Sequence, residues 1–143
     1  MADLIYNSFF TDLSKGAIDL DTDTFKLMLV TSAYTPTKTH AKRSDITNEV
    51  TGTGYTAGGA TLANVTVTQD NTNDLAKFDA DDVSWATSTI TARGAVLYKA
   101  RGGAASADEL VKYFDFGSDQ SSVGAAFTVQ FNANGILQIK NGS

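Results

Sequence analysis

Cysteine is absent, and proline, histidine and tryptophan occur once each, as Pro36, His40 and Trp85. The missing thiols exclude disulfides, thiolate metal sites and a cysteine nucleophile, so stability has to come from packing and backbone pairing. A lone His40, with neither cysteine nor a second histidine beside it, makes neither a metal cluster nor a catalytic pair. No apolar run approaches the ~18 residues a membrane-spanning helix needs. The opening M-A-D-L-I-Y-N places an acid where a secretory signal carries positive charge, and it lacks Gly at position 2 for myristoylation, which leads us to expect synthesis in a cytoplasm and no membrane association. No basic stripe stands out, and the net charge is −5, which argues against nucleic acid as a partner.

What is present is a chain of 143 residues rich in Thr, Ala, Asp and Gly. That length buries a substantial core in one domain, and no 20–50-residue period or linker divides it. Thr and Val runs broken by Asn, Asp and Gly clusters predict many short strands. One helix is predicted, over about residues 3–15. Tyr6, Phe9, Phe10 and Leu13 share a face, Asp3 suits its start, and Lys15 with Gly16 ends it. Phe25–Thr31 has apolar residues on both faces, as in a central strand covered on both sides. Further strands are predicted over Thr61–Gln69, Leu75–Asp79, Val83–Trp85, Thr89–Lys99, Leu110–Phe116 and Ala126–Phe131. Asn132–Gly135 is predicted to turn Ala126–Phe131 into a hairpin with Ile136–Ile139. Trp85 is expected to be mostly buried. One helix followed by seven or eight strands predicts a mainly β fold: an antiparallel β-sandwich, jelly-roll-like, or a small barrel, over about residues 24–140.

Three local motifs resemble chemical sites, and each fails on context. Asp19, Asp21 and Asp23 start like a calcium loop, but Thr24 and Val30 stand where Gly and Glu are required. Gly52, Gly54 and Ala57 fit G-x-G-x-x-A, but Thr61–Gln69, just downstream, alternates like a strand where a dinucleotide site needs a helix. Asp115-Phe116-Gly117 spells a kinase motif with no other kinase feature around it. No catalytic, metal or cofactor site is predicted, and an enzyme is the weakest reading. The irregular stretch from Ser32 to about Gly59 is long enough to suggest a function. It holds the one local basic cluster on an acidic chain. Tyr34, Lys38, His40, Lys42, Arg43 and Tyr55 are therefore the expected protein-contact residues, facing an acidic partner surface.

Five stretches carry a family resemblance: N-S-F-F-T-D-L-S-K-G-A-I-D-L-D-T-D-T-F-K-L-M-L-V (Asn7–Val30), E-V-T-G-T-G-Y-T-A-G-G (Glu49–Gly59), F-D-A-D-D-V-S-W (Phe78–Trp85), S-T-I-T-A-R-G-A-V-L-Y (Ser88–Tyr98) and G-I-L (Gly135–Leu137). In these the chain resembles a family of small tailed-bacteriophage virion structural proteins. Lys38–Arg43 and Gly102–Glu109 depart from that pattern. The resemblance implies a non-enzymatic virion component, most like a capsid decoration (cement) protein on the capsid exterior. The partner it implies is the major capsid protein or another virion protein. Self-association is expected as well, since a sandwich must protect its edges. A tail or fibre-base component, and a carbohydrate or host-surface module using Trp85, Tyr34 and Tyr55, are the competing expectations.

Overall fold

The computed structural model describes residues 2–142. Its elements in chain order are β1 (Leu4–Ile5), α1 (Asn7–Ser14), β2 (Phe25–Val30), β3 (Ala60–Thr61), β4 (Thr66–Asp70), β5 (Leu75–Asp79), β6 (Val83–Lys99), β7 (Leu110–Val129) and β8 (Leu137–Lys140), with single 3₁₀ turns at Arg43–Asp45 and Ala105–Ala107. Among these residues the fold is mainly β, with one α-helix and two antiparallel sheets, ordered β1-β7-β6-β2-β3 and β4-β5-β8. This matches the expected sandwich, and among the described residues no barrel closes.

β2 shows why the larger sheet sits where it does. Phe25, Leu27 and Leu29 point into a cluster with Phe78, Trp85, Ala95, Leu97, Val111, Phe127 and Leu137, which joins the two sheets. Met28 and Val30 point the other way, into a second cluster with Tyr6, Tyr34, Val96, Tyr98, Leu110 and Tyr113. The sheet is therefore apolar on both faces, as the double-sided pattern of Phe25–Thr31 predicts. Tyr34, from the long Ser32–Gly59 segment, and Tyr6, at the N-cap of α1, help to cover the second face.

The helix is shorter than predicted. Leu4 and Ile5 pair with Tyr113 and Lys112, so the chain is extended until Tyr6. Asp3 accordingly does not cap the helix; its carboxylate accepts the Asp115 N–H at 2.7 Å. Lys15 and Gly16, the latter at φ +78°, end the helix as expected. Phe9 is buried and Leu13 packs on the core, whereas Phe10 turns outward. Two adjacent residues lie about 100° apart on a helix, and one narrow buried stripe does not hold both rings.

The largest corrections concern the long strands. Val83–Trp85 and Thr89–Lys99 are one continuous strand, and Thr87–Ser88 is no turn. Leu110–Phe116 and Ala126–Phe131 likewise belong to one strand up to Val129, running through the Gly117–Gly124 stretch that separates the two predicted strands. Register shifts between Trp85 and Ser88, Ser88 and Ile90, and Ala92 and Gly94 show that the polar interruptions are bulges or wider irregularities within a ladder that resumes on either side. Gly117 and Gly124 have φ +82° and +58°, so each supplies a left-handed residue at such a bend. The bends fold the ribbon over. The rings of Phe116 and Phe127 lie 6.2 Å apart, whereas a straight strand would separate these residues by about 36 Å.

Asn132–Gly135 does turn, with the Gly135 N–H donating to the Asn132 carbonyl at 2.8 Å, but it makes no hairpin. β8 pairs with β5, so the turn carries the chain from one sheet to the other. The predicted strand over Thr61–Gln69 is also broken. Asn64, at φ +53°, interrupts it between β3 and β4, which lie in different sheets.

Candidate protein-contact surface

The six residues expected to meet a partner separate by depth. Tyr34 is only 4% exposed. Its hydroxyl lies 3.0 Å from that of Tyr6 and 2.9 Å from Nδ1 of half-buried His40. Burial, foremost, pushes the Tyr34 and Tyr6 hydroxyls to higher pKa, so both stay neutral donors and acceptors inside the second cluster. Tyr55 is likewise structural. Its hydroxyl donates to Glu49 Oε2 at 2.6 Å and accepts the Leu29 N–H at 3.0 Å, while its ring lies 5.7 Å from Trp85. Burial and the Glu49 carboxylate together raise its pKa.

The same Glu49 carboxylate accepts the Gly58 N–H at 2.7 Å, closing the glycine-rich loop onto β2. Gly59, at φ +83°, sits so close to the backbone of Leu27 and Met28 that a side chain has no room there. Gly54 of the G-x-G-x-x-A run behaves alike: it has φ +84° and abuts the Thr87–Ser88 backbone, so it serves a turn and close backbone approach. Likewise Asp19 Oδ1 accepts the N–H groups of Asp21 and Thr22, and Asp23 pairs with Lys99 at 2.8 Å. The alternating acids shape a turn and staple it to β6.

Two of the cluster's cations are engaged within the chain. Arg43 Nε contacts Asp108 Oδ2 at 2.7 Å, and its guanidinium lies 5.2 Å from the centre of the Tyr98 ring. Burial opposes the Arg43 charge, but the Asp108 hydrogen bond prevails and raises its pKa. Lys42 approaches Glu109 at 4.0 Å, and Arg101 meets Glu109 through two donors, at 2.8 and 2.6 Å. Asp108 and Glu109 are 2% and 3% exposed. Carboxylates at that depth persist only with partners, so the basic segment clamps the β6–β7 connection. The Arg101 hydrogen bond, first, holds Glu109 below the usual carboxylate range, against its burial.

Lys38 alone of the six is fully on the surface, and no described carboxylate pairs with it. Its backbone carbonyl accepts the Asn7 N–H at 2.9 Å, which fixes this loop against the first turn of α1. Between them runs an open groove lined by Asp3, Leu4, Ile5, Asn7, Phe10, Lys38 and Lys112. Sequence reasoning missed Asp3, Phe10 and Lys112 as a group, because only the β1–β7 pairing brings Lys112 beside the N-terminal segment. The adjacent Phe9-Phe10 pair was the available signal that one ring must face outward. Trp85 is 7% exposed and packs on Tyr55 and Phe127, as expected of a core residue. Among the described residues, no helix is long and apolar enough to cross a membrane. Family models, curated proteins and solved structures were compared with this chain, and none matches it.

Proposed function

We propose that the protein is a bacteriophage virion structural component, a capsid decoration (cement) protein that binds the assembled major capsid lattice from outside and stabilises it. The observation that carries this reading is the ordered set of five family-like stretches, read with the positions they take in the fold. Asn7–Val30 supplies α1 and β2, and Ser88–Tyr98 lies within β6. Glu49–Gly59 supplies the Glu49–Tyr55 strap and the glycine against Leu27. Gly135–Leu137 makes the crossing between sheets. These stretches share fold-forming roles, so a resemblance in them is a resemblance of scaffold.

The mechanism is mass action: a module that binds only the assembled shell shifts the equilibrium towards that shell. Modest contacts suffice when many copies act on one lattice, and self-association of the module adds to that effect. The carbohydrate reading is weaker because Trp85 and Tyr34 leave almost no ring surface for stacking. Copy number in purified particles tests the proposal. On the order of hundreds of copies per particle supports repeated lattice binding. A count of about a dozen or fewer, with density on the tail, replaces it with the tail-component reading.

A further inference from the structure

We propose that the groove between α1 and the Lys38 loop docks a polypeptide segment that presents a carboxylate beside an apolar side chain. This deepens the virion reading by naming the contact surface and the chemistry of what it meets. Phe10 is 55% exposed, and among the described large hydrophobics left exposed — Phe10, Val67, Val123 and Ile139 — it is the one aromatic. The neighbouring outward positions of α1, Asn7, Thr11 and Ser14, are polar, so Phe10 stands alone on that surface. Leu4 and Ile5, half-buried in β1, line the same groove. An exposed aromatic in a partly apolar groove is the kind of residue enriched at protein interfaces.

The charges around the floor choose the partner. Among the described residues Lys38 has no paired carboxylate, and Lys112 has its nearest at 3.9 Å, on Asp3. Lys112 Nζ donates to the Ile136 carbonyl at 2.9 Å and lies 4.8 Å from the centre of the Phe114 ring, so its cation is held at the groove wall. Asp3 has one oxygen already committed to the Asp115 N–H. Two cations against one acid leave the groove positive on a chain of net charge −5. An acidic segment is the complement, and the remaining negative surface disfavours wrong orientations. A small anion would leave Phe10, Leu4 and Ile5 uncovered, whereas a peptide covers both features. The walls are set in advance by the Asn7–Lys38 hydrogen bond and the β1–β7 pairing, which lowers the ordering cost of binding.

A random peptide library panned against the full chain tests this, followed by titration of the recovered peptides. The expected result is enrichment of Asp or Glu next to Leu, Ile or Phe. Phe10→Ser and Lys38→Glu should each weaken such a peptide by about tenfold or more. Lys140→Glu, a charge change outside the groove, should change it less than about twofold. Binding should fall with added salt. Both groove positions are exposed, so unchanged melting of the variants is the check on folding, and amide shifts of the wild-type chain on titration should centre on Asn7, Phe10 and Lys38. Recovery of peptides without acidic residues, or equal binding by the variants, overturns the proposal. Attachment to purified capsids separates the two readings. A wild-type chain that binds the peptides but not capsids leaves the groove and removes the decoration role. A wild-type chain and groove variants that decorate equally well remove the groove.

Discussion

The two halves of the β6–β7 ribbon have opposite characters. Arg93–Lys99 with Leu110–Asp119 carries Arg93, Lys99, Lys112, Asp115 and Asp119; Val83–Ala92 with Gln120–Val129 carries no charged side chain. The charged half is the better covered: Ala95, Val96, Leu97, Leu110 and Val111 are all 0% exposed, packed on both faces. The uncharged half buries Val83, Trp85, Ser88, Ile90 and Ala92 on β6 but only Ser122, Phe127 and Val129 on β7, and leaves the residues between them exposed. Charge thus follows the availability of neighbours. Arg93 meets Asp115 at 3.0 Å, Lys99 meets Asp23 at 2.8 Å, and Lys112 faces Asp3, so each cation links the ribbon to itself or to another element. The uncharged half satisfies its polar groups across the ribbon instead. Ser84 pairs with Thr128 at 3.0 Å, Ser88 with Ser122 at 2.7 Å and Thr91 with Ser121 at 2.8 Å. One half is the most deeply packed part of the ribbon. The other is a hydroxyl-paired surface that relies on bulges to keep its strands from extending into a neighbour.

Substitutions can break this contrast, beginning with the covered half. Leu97→Ala should cost about 2–5 kcal/mol, because the fully buried side chain is walled by two sheets that cannot close the gap. Chemical denaturation gives the value. Ser88→Ala comes next, at about 1 kcal/mol, since the buried hydroxyl faces Ser122, the Trp85 carbonyl and the Ala125 carbonyl.

Asp115→Asn should show mainly in the pH dependence. Burial disfavours the Asp115 charge, but the Gly117 N–H and Arg93 outweigh it and hold the group at about 2, below its ordinary 3.8. Its contribution is therefore present above about pH 4 and lost as the pH falls through the folded-state value. Melting followed across that window should show a flatter acid limb in the variant. Val123→Ser is the smallest. At 81% exposure the side chain packs on almost nothing, and stability should stay within about 0.5 kcal/mol. A loss at Val123 comparable with that at Leu97 would erase the distinction between the halves.

Sequence pattern located the elements whose faces are simple. Phe25–Thr31 reads as a strand buried on both sides, and Phe25–Val30 is one; Leu75–Asp79 has the strand bounds expected. It failed where polar residues bend a strand without ending it. Thr87-Ser88 and the Gly117–Gly124 run have the composition of turns, and only cross-strand pairing distinguishes a bulge from a loop. The Asn132–Gly135 turn was legible but its partner was not, because strand order is a property of the whole core. The contact segment shows the same division. Its length and charge were visible in sequence, but the acids that clamp Lys42 and Arg43, Glu109 and Asp108, lie on the distant β6–β7 connection. Lys38 and Phe10 became one surface only through the Asn7–Lys38 hydrogen bond, and Lys112 joined them when β1 paired with β7.

The division between a rigid scaffold and a contact groove is tested most directly by hydrogen exchange, comparing the free protein with the protein on purified capsids. The account predicts new protection over residues 3–12 and 36–40, and unchanged, already slow exchange over 94–98 and 110–115. Protection confined to residues 118–126 of the uncharged half, with residues 3–12 unaffected, would contradict it.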